Sequence, residues 1–317
     1  MTPTHAPGDL TTRGALTSRA ALLSVAVASL LGLVKAWALW RTGSTAMLGS
    51  LADTALDLVA SVITLVGVRI AAIPADEDHR FGHGKAEALV GMIQVVLISI
   101  SALFLGWRAV NRLLEGGNVA APEAGIAVSL LAIITTLGLL AYQRRVVKQT
   151  ASVAIATDSL HYRSDLFLNI AVIAALVLEV YAGLNGADGV FGLVIALWLL
   201  WGAWRAASEV VDQLMDKEWS TERKRAFIEV ALQEPEARGI HHLRTRTSGT
   251  HDFVQLHLWL PHDMTVAAAH EVMDRVEARL HAAFPGVHII IHPDPEGHVD
   301  TIDYEPSEGY LHNAARV

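Results

Sequence analysis

Two pairs of metal-ligand side chains lie inside stretches apolar enough to cross a membrane. SLADTALDLVAS carries Asp53 and Asp57, and DSLHYRSDLFLN carries His161 and Asp165. Each pair is spaced i, i+4, so its two side chains share one helix face. Charge is costly in hydrocarbon, and intramembrane carboxylates face a partner, a cavity or an ion. One such pair could be a helix cap or a packing residue with its hydrogen bond. Two pairs supply three carboxylates and one imidazole, enough for a four-coordinate divalent transition-metal site.

The rest of the chain sets the frame for that site. Of 317 residues, 52% are hydrophobic, and the mean hydropathy is +0.39. The apolar residues concentrate in 17–212. Six stretches there approach the roughly 20 residues a span needs: 17–39, 46–72, 87–110, 123–143, 152–182 and 187–212. The expected fold is therefore a polytopic α-helical membrane protein with six transmembrane helices. Arg13 and Arg19 precede the first span; Arg69, Arg80 and Lys85 flank the 2–3 link; Arg144, Arg145 and Lys148 fill the 4–5 link. This bias places both termini in the cytoplasm of a multi-pass cell-membrane protein, with the lipid bilayer as its first partner. A net charge of −8 argues against nucleic acid.

The C-terminal part reads as a soluble α+β domain: a helix over 220–233, strands at 241–247 and 253–260, a helix over 265–284 and a strand at VHIIIH. The expected division is 1–16 as a cytoplasmic segment, 17–212 as the transport domain, 213–295 as a cytoplasmic metal-binding domain, and 296–317 as a flexible tail. Cysteine is absent, so any metal is held by His, carboxylate, carbonyl or water. That chemistry suits Zn²⁺, Fe²⁺, Cd²⁺ or Mn²⁺. Eleven of the fifteen histidines lie at or beyond His241. His257 falls on a strand, while His292 and Asp294 sit two apart where the last strand ends. In the 2–3 link, DEDHRFGHG offers Asp76, His79 and His83, with Gly82 and Gly84 allowing a tight turn.

Charge counting links the membrane site to protons. Three carboxylates and a divalent ion leave the loaded site at −1, whereas an empty site in low dielectric does not hold three bare charges and takes up protons. Ligands coordinate deprotonated, so metal and proton compete for the same atoms.

DTALD, DEDHRFGHGKAEAL, HYRSD, LRTRTSG, QLHL, AAAH and IIIHPDP, in that order over about residues 15–295, resemble the cation diffusion facilitator family and its bacterial zinc/iron exporter branch (ferrous-iron/zinc efflux pump type). The resemblance implies a homodimer with a metallochaperone-like (ferredoxin-like) cytoplasmic domain, and proton-coupled export of Zn²⁺, with Fe²⁺ or Cd²⁺, by alternating access. It implies a transport site at Asp53, Asp57, His161 and Asp165, a second site at Asp76, His79 and His83, and a binuclear zinc site at His241, His257, His270, His292 and Asp294. His242 beside His241 leaves the ligand open by one residue there. Two other functions fit parts of the chain. A membrane metallohydrolase needs an open coordination position, and no HExxH is present. A membrane-anchored metal sensor would leave the span-two and span-five ligands idle.

Overall fold

The computed structural model describes residues 10–42, 45–115, 123–182, 186–249 and 251–298. Residues Thr11–Asp212 form one compact unit and the chain from Gln213 a second. The expected flexible tail lies outside the described residues from 299 on, as does the N-terminal segment up to residue 9.

Among the described residues the first unit holds six long helices: α1 (Leu10–Thr42), α2 (Thr45–Ala71), α3 (Lys85–Glu115), α4 (Glu123–Thr150), α5 (Val153–Ala182) and α6 (Ala187–Leu214). Five of them are long and apolar enough to cross a membrane; α5 does not meet that measure among the described residues. The N-terminal half of α5 carries Asp158, His161, Arg163 and Asp165, which dilute its hydropathy. The helices also overrun the apolar stretches. Arg144, Arg145 and Lys148 lie on α4 and not in a loop, which leaves only Ala151 and Ser152 between α4 and α5. Hydropathy marks where lipid ends, whereas helix hydrogen bonding continues through good helix formers such as Arg and Lys. Ala151 ends α4 with φ 54, donating its N–H to Val147 O at 2.8 Å in a left-handed C-terminal cap.

Interhelical contact relies on small residues and buried polar pairs. A Cβ on Gly67 of α2 would collide with Val90 of α3, so the two backbones approach closely. Asp158, fully buried, is the polar hub. Its Oδ2 accepts from Ser24 Oγ of α1 at 2.7 Å and from Gln143 Nε2 of α4 at 2.7 Å. Its Oδ1 accepts from Gln94 Nε2 of α3 at 3.2 Å, and Gln94 also donates to Thr64 of α2. Near the 4–5 turn, Glu87 of α3 accepts from Ser152 Oγ at 2.6 Å and from the backbone N–H groups of Val153 and Ala154. A carboxylate there satisfies orphan donors at the start of α5.

The second unit is built from α7 (Thr221–Ala231), β1 (Gly239–Ser248), β2 (His251–Leu260), α8 (Val266–Ala283) and β3 (Val287–Pro295). The order helix–strand–strand–helix–strand is as expected. Among the described residues the sheet has three strands in the order β1-β2-β3. β1 and β2 pair antiparallel, and α8 carries the crossover that lays β3 parallel to β2. Ser220 and Thr265 cap the two helices through their side-chain oxygens. Val254, Leu256, Leu258 and Leu260 alternate along β2 and pack with Phe227 and Ala231 of α7 and Val272, Val276 and Leu280 of α8. The intervening Gln255, His257 and Trp259 point to the opposite face.

Glu234, after α7, ties the helices together. Its buried carboxylate meets Arg275 Nε at 2.7 Å and Arg279 Nε at 3.1 Å, both on α8. The hydrogen bond from Arg275 is the main cause that holds the Glu234 carboxyl below the usual range. A lowered native pKa stabilises the fold above the unfolded value and loses that contribution as pH falls through the native one. A fragment spanning 213–298 should therefore melt progressively lower as pH falls below about 4.3, the ordinary glutamate value. Glu234→Gln should melt lower than the native fragment at pH 7, with the gap closing in acid; a constant gap across the titration would contradict this origin.

Candidate metal centres

Among the described residues three clusters of candidate ligand atoms form, each with members within 4.8 Å of one another: Asp57, His161 and Asp165; Asp76, His79 and His83; and His241, His257 and Asp294.

In the membrane cluster, α2 presents Asp57 and α5 presents His161 and Asp165. His161 Nε2 lies 2.8 Å from Asp57 Oδ1 and 3.9 Å from Asp165 Oδ2. Both α5 ligands project from one face because they are four residues apart. Tyr162, beside His161, is locked on the α1 side: its hydroxyl donates to Ser24 O at 3.0 Å and shares a 2.8 Å hydrogen bond with Ser61 Oγ of α2. Asp53, the fourth residue expected here, is not in the cluster and is exposed. Its neighbour Thr54 is bound by Lys35 Nζ of α1 at 2.6 Å, and Ser50 O at 3.3 Å takes the same ammonium.

The link cluster is a self-contained loop. Asp76 Oδ1 accepts from the backbone N–H of Asp78 at 3.1 Å and of His79 at 2.6 Å. The chain turns through Gly82 at φ 79. The turn brings His83 Nε2 to 3.3 Å from Asp76 Oδ2, with the two imidazole centroids 4.4 Å apart. The backbone hydrogen bond from His79 is the leading cause that lowers the pKa of Asp76, so this ligand stays ionised at neutral pH.

The third cluster lies on the sheet face away from the helices. His241 pairs with His257 across β1 and β2, and His257 with His292 across β2 and β3. Asp294 Oδ2 lies 2.8 Å from His257 Nδ1 and 3.1 Å from His241 Nε2. Between β1 and β2 the register slips at His241 and Arg244. This is a bulge, and it explains why Ile240 and Leu243, three apart, both reach the core. His241 and His242 are thereby left together on the ligand face. Of the two histidines open from sequence, His241 is the one whose nitrogen joins the cluster. His292 stays at the rim, 58% exposed, with Nε2 3.3 Å from Asp294 Oδ1. His270 is not gathered in: it lies exposed on α8, 3.8 Å from Asp274.

The donor sets of imidazole and carboxylate without sulfur suit a divalent metal of the zinc type, and their match with known proteins is extensive. Residues 21–215 match the cation efflux transmembrane domain. Residues 219–296 match the cytoplasmic domain of cation efflux proteins. The chain belongs to the cation efflux family. This family, the cation diffusion facilitators, makes it a multi-pass transporter with a cytoplasmic C-terminal domain, and not an enzyme. The Cation-efflux pump FieF of Cronobacter sakazakii is 42% identical over 282 residues, 89% of this chain and 94% of that protein. Its counterpart in Pectobacterium atrosepticum is 44% identical over 280 residues, 88% of this chain and 93% of that protein. The metal-bound C-terminal domain of the CzcD transporter from Thermotoga maritima is 24% identical, covering 26% of this chain and 99% of that one, at a TM-score of 0.24.

Sequence reading passed over the hub at Asp158. The signal was present: Asp158 falls three residues before His161, the spacing that puts two side chains on neighbouring faces of one helix. Glu87 was equally readable as a lone acid at the start of a span. In Asp158→Ala, Ser24, Gln94 and Gln143 each lose one buried acceptor, and a lost hydrogen bond to a charged group is worth about 1.5–3 kcal/mol. The variant should therefore unfold at a clearly lower temperature in detergent, and Asp158→Asn, which keeps a carbonyl acceptor, should lose less. Equal melting of both variants with the native protein would remove Asp158 from this role.

Proposed function

We propose that this transporter exports divalent transition-metal ions from the cytoplasm in exchange for protons, as a homodimer working by alternating access. Zn²⁺ is the primary substrate on this reading, with Fe²⁺ or Cd²⁺ also carried. Both termini lie in the cytoplasm, and α5 crosses as a sixth span. The observation that carries the reading is the convergence of Asp57, His161 and Asp165 from two helices within one helical unit. Relatives bearing the name cation-efflux pump over nine-tenths of their length support the direction of transport.

The exchange follows from the ligands. Asp57 and Asp165 coordinate as carboxylates and His161 as a neutral imidazole, so loading an ion displaces whatever protons the cluster held. Metal affinity then falls as pH falls, and a proton gradient directed inward favours release on the far side. Asp53, one turn from Asp57 on α2, completes a four-ligand shell when it swings in. The burial of Ala154, Ile155, Asp158, Tyr162 and Leu166 supports the crossing of α5, because that face of the helix packs against other helices with His161 and Asp165 half-buried beside it, while Arg163 lies on the exposed face. For the cytoplasmic unit, His241, His257 and Asp294 hold resident zinc, with His292 at the rim as an outer contributor. The link residues Asp76, His79 and His83 form a separate site on the same reading.

Purified protein in sealed vesicles tests the exchange. Zinc flux should respond to an imposed pH gradient and reverse with it, and Asp57→Ala should abolish flux while the protein still folds. With the link and cytoplasmic ligands removed, zinc affinity should weaken on acidification between about pH 8 and 5, the interval in which imidazole chemistry operates. Flux indifferent to the gradient would leave a uniporter.

A further inference from the structure

His242 is the outlier of the cytoplasmic sheet. It is a non-glycine residue at φ 48, placed at the β1 bulge. Glycine normally takes the left-handed position of such a bulge, and a bulky side chain held there is a reason to look for function. The bulge delivers the His242 ring to the ligand face, where its centroid lies 5.2 Å from that of His241 and 5.2 Å from that of His257. The third side of the triangle, His241 to His257, is 5.0 Å. Three imidazoles on one tetrahedral ion, at a Zn–N distance of about 2.0–2.1 Å, hold their centroids roughly 5 Å apart. The ring of His242 also lines a cleft of about 260 Å³ together with His257 and His292, which leaves it room to turn.

We propose that His242 is a fourth metal ligand of the cytoplasmic site, completing the set of His241, His257 and Asp294 within a single protomer. The inference rests on the reading of that cluster as a zinc site. The three clustered ligand atoms already lie within 4.8 Å of one another; on this proposal rotation of the His242 side chain brings its nitrogen to them. The bulge and the left-handed backbone set the imidazole beside the other two before metal arrives. Two adjacent histidines on an unbroken strand would point to opposite faces, so the bulge is what makes both available to one ion. A set of three imidazoles and one carboxylate closes the coordination sphere in the manner of a structural zinc site.

The test uses the full-length chain carrying Asp57→Ala, His79→Ala and His292→Ala, titrated with Co²⁺ and with Zn²⁺. Co²⁺ should bind with the intense visible absorption of a tetrahedral site. His242→Asn and His242→Gly both tolerate the left-handed backbone and should leave the far-ultraviolet circular dichroism unchanged. Each should weaken Zn²⁺ binding about tenfold or more, since even outer-shell partners of a metal ligand are worth 10–100-fold. Each should also shift and weaken the Co²⁺ bands as water replaces the imidazole. Unchanged affinity and spectrum in both variants, while His257→Ala abolishes the ion, would overturn the role of His242 and leave the zinc site standing. Binding that survives His257→Ala unaltered would overturn both.

Discussion

A carboxylate inside a helical membrane unit has to be surrounded by donors, and Asp158 meets that demand with side chains from three other helices. Ser24, Gln94 and Gln143 converge on it, and through Gln94 the network extends to Thr64 of α2. Lipid supplies no driving force between apolar helices, so small residues and polar bonds specify which faces meet. The hub fixes the rotation of α5 about its own axis. With that rotation fixed, His161 and Asp165 face α2, where Asp57 waits. Ser61 and Ser24 then hold Tyr162 between α1 and α2, which orients the turn of α5 that carries the ligands. The convergence of Asp57, His161 and Asp165 is thus a consequence of helix packing.

The cytoplasmic unit reaches a similar result by other means. One face of its sheet is apolar and covered by α7 and α8; the other bears imidazoles at successive cross-strand positions, His241 to His257 to His292. A strand gives one side chain per two residues to each face, so three strands give a row. The bulge adds His242 to that row, and Asp294, two residues beyond His292, turns its carboxylate inward to 5% exposure. Glu234, clamped by Arg275 and Arg279, performs the anchoring for α8 that Asp158 performs for α5.

Much of this was legible in the sequence because helix and strand periods are simple. The i, i+4 spacing put Asp57, His161 and Asp165 on the faces where they are found, and alternation along FVQLHLWL separated core from ligand face. What escaped was set by three-dimensional detail. Nothing local said that Arg144 to Lys148 continue α4, since basic residues serve both as helix formers and as loop markers. Asp158, His161, Arg163 and Asp165, which give α5 its polar hub and its candidate ligands, are the same residues that lower its hydropathy. The bulge at His242 depends on which residues of β1 find the core, and the pairing register decides that only once β2 is in place. His270 carries the spacing of a ligand on an amphipathic helix, yet its helix position turns it to solvent.

The position of the fourth ligand separates the two kinds of site. A transported ion has to enter and leave, so tight, closed coordination by four rigid side chains would trap it. Asp57, His161 and Asp165 stand ready, while Asp53 lies outside the cluster on an exposed helix position beside the Lys35–Thr54 contact. On the proposed reading, closure of that shell is a movement that accompanies loading, and its reversal accompanies release. A resident ion needs the opposite. Its ligands should be held by a packed sheet, its carboxylate buried, and its last ligand placed by the backbone in advance, as the bulge places His242. On the same reading, occupancy at the first site follows exchange with protons, and at the second the stability of the fold that holds it.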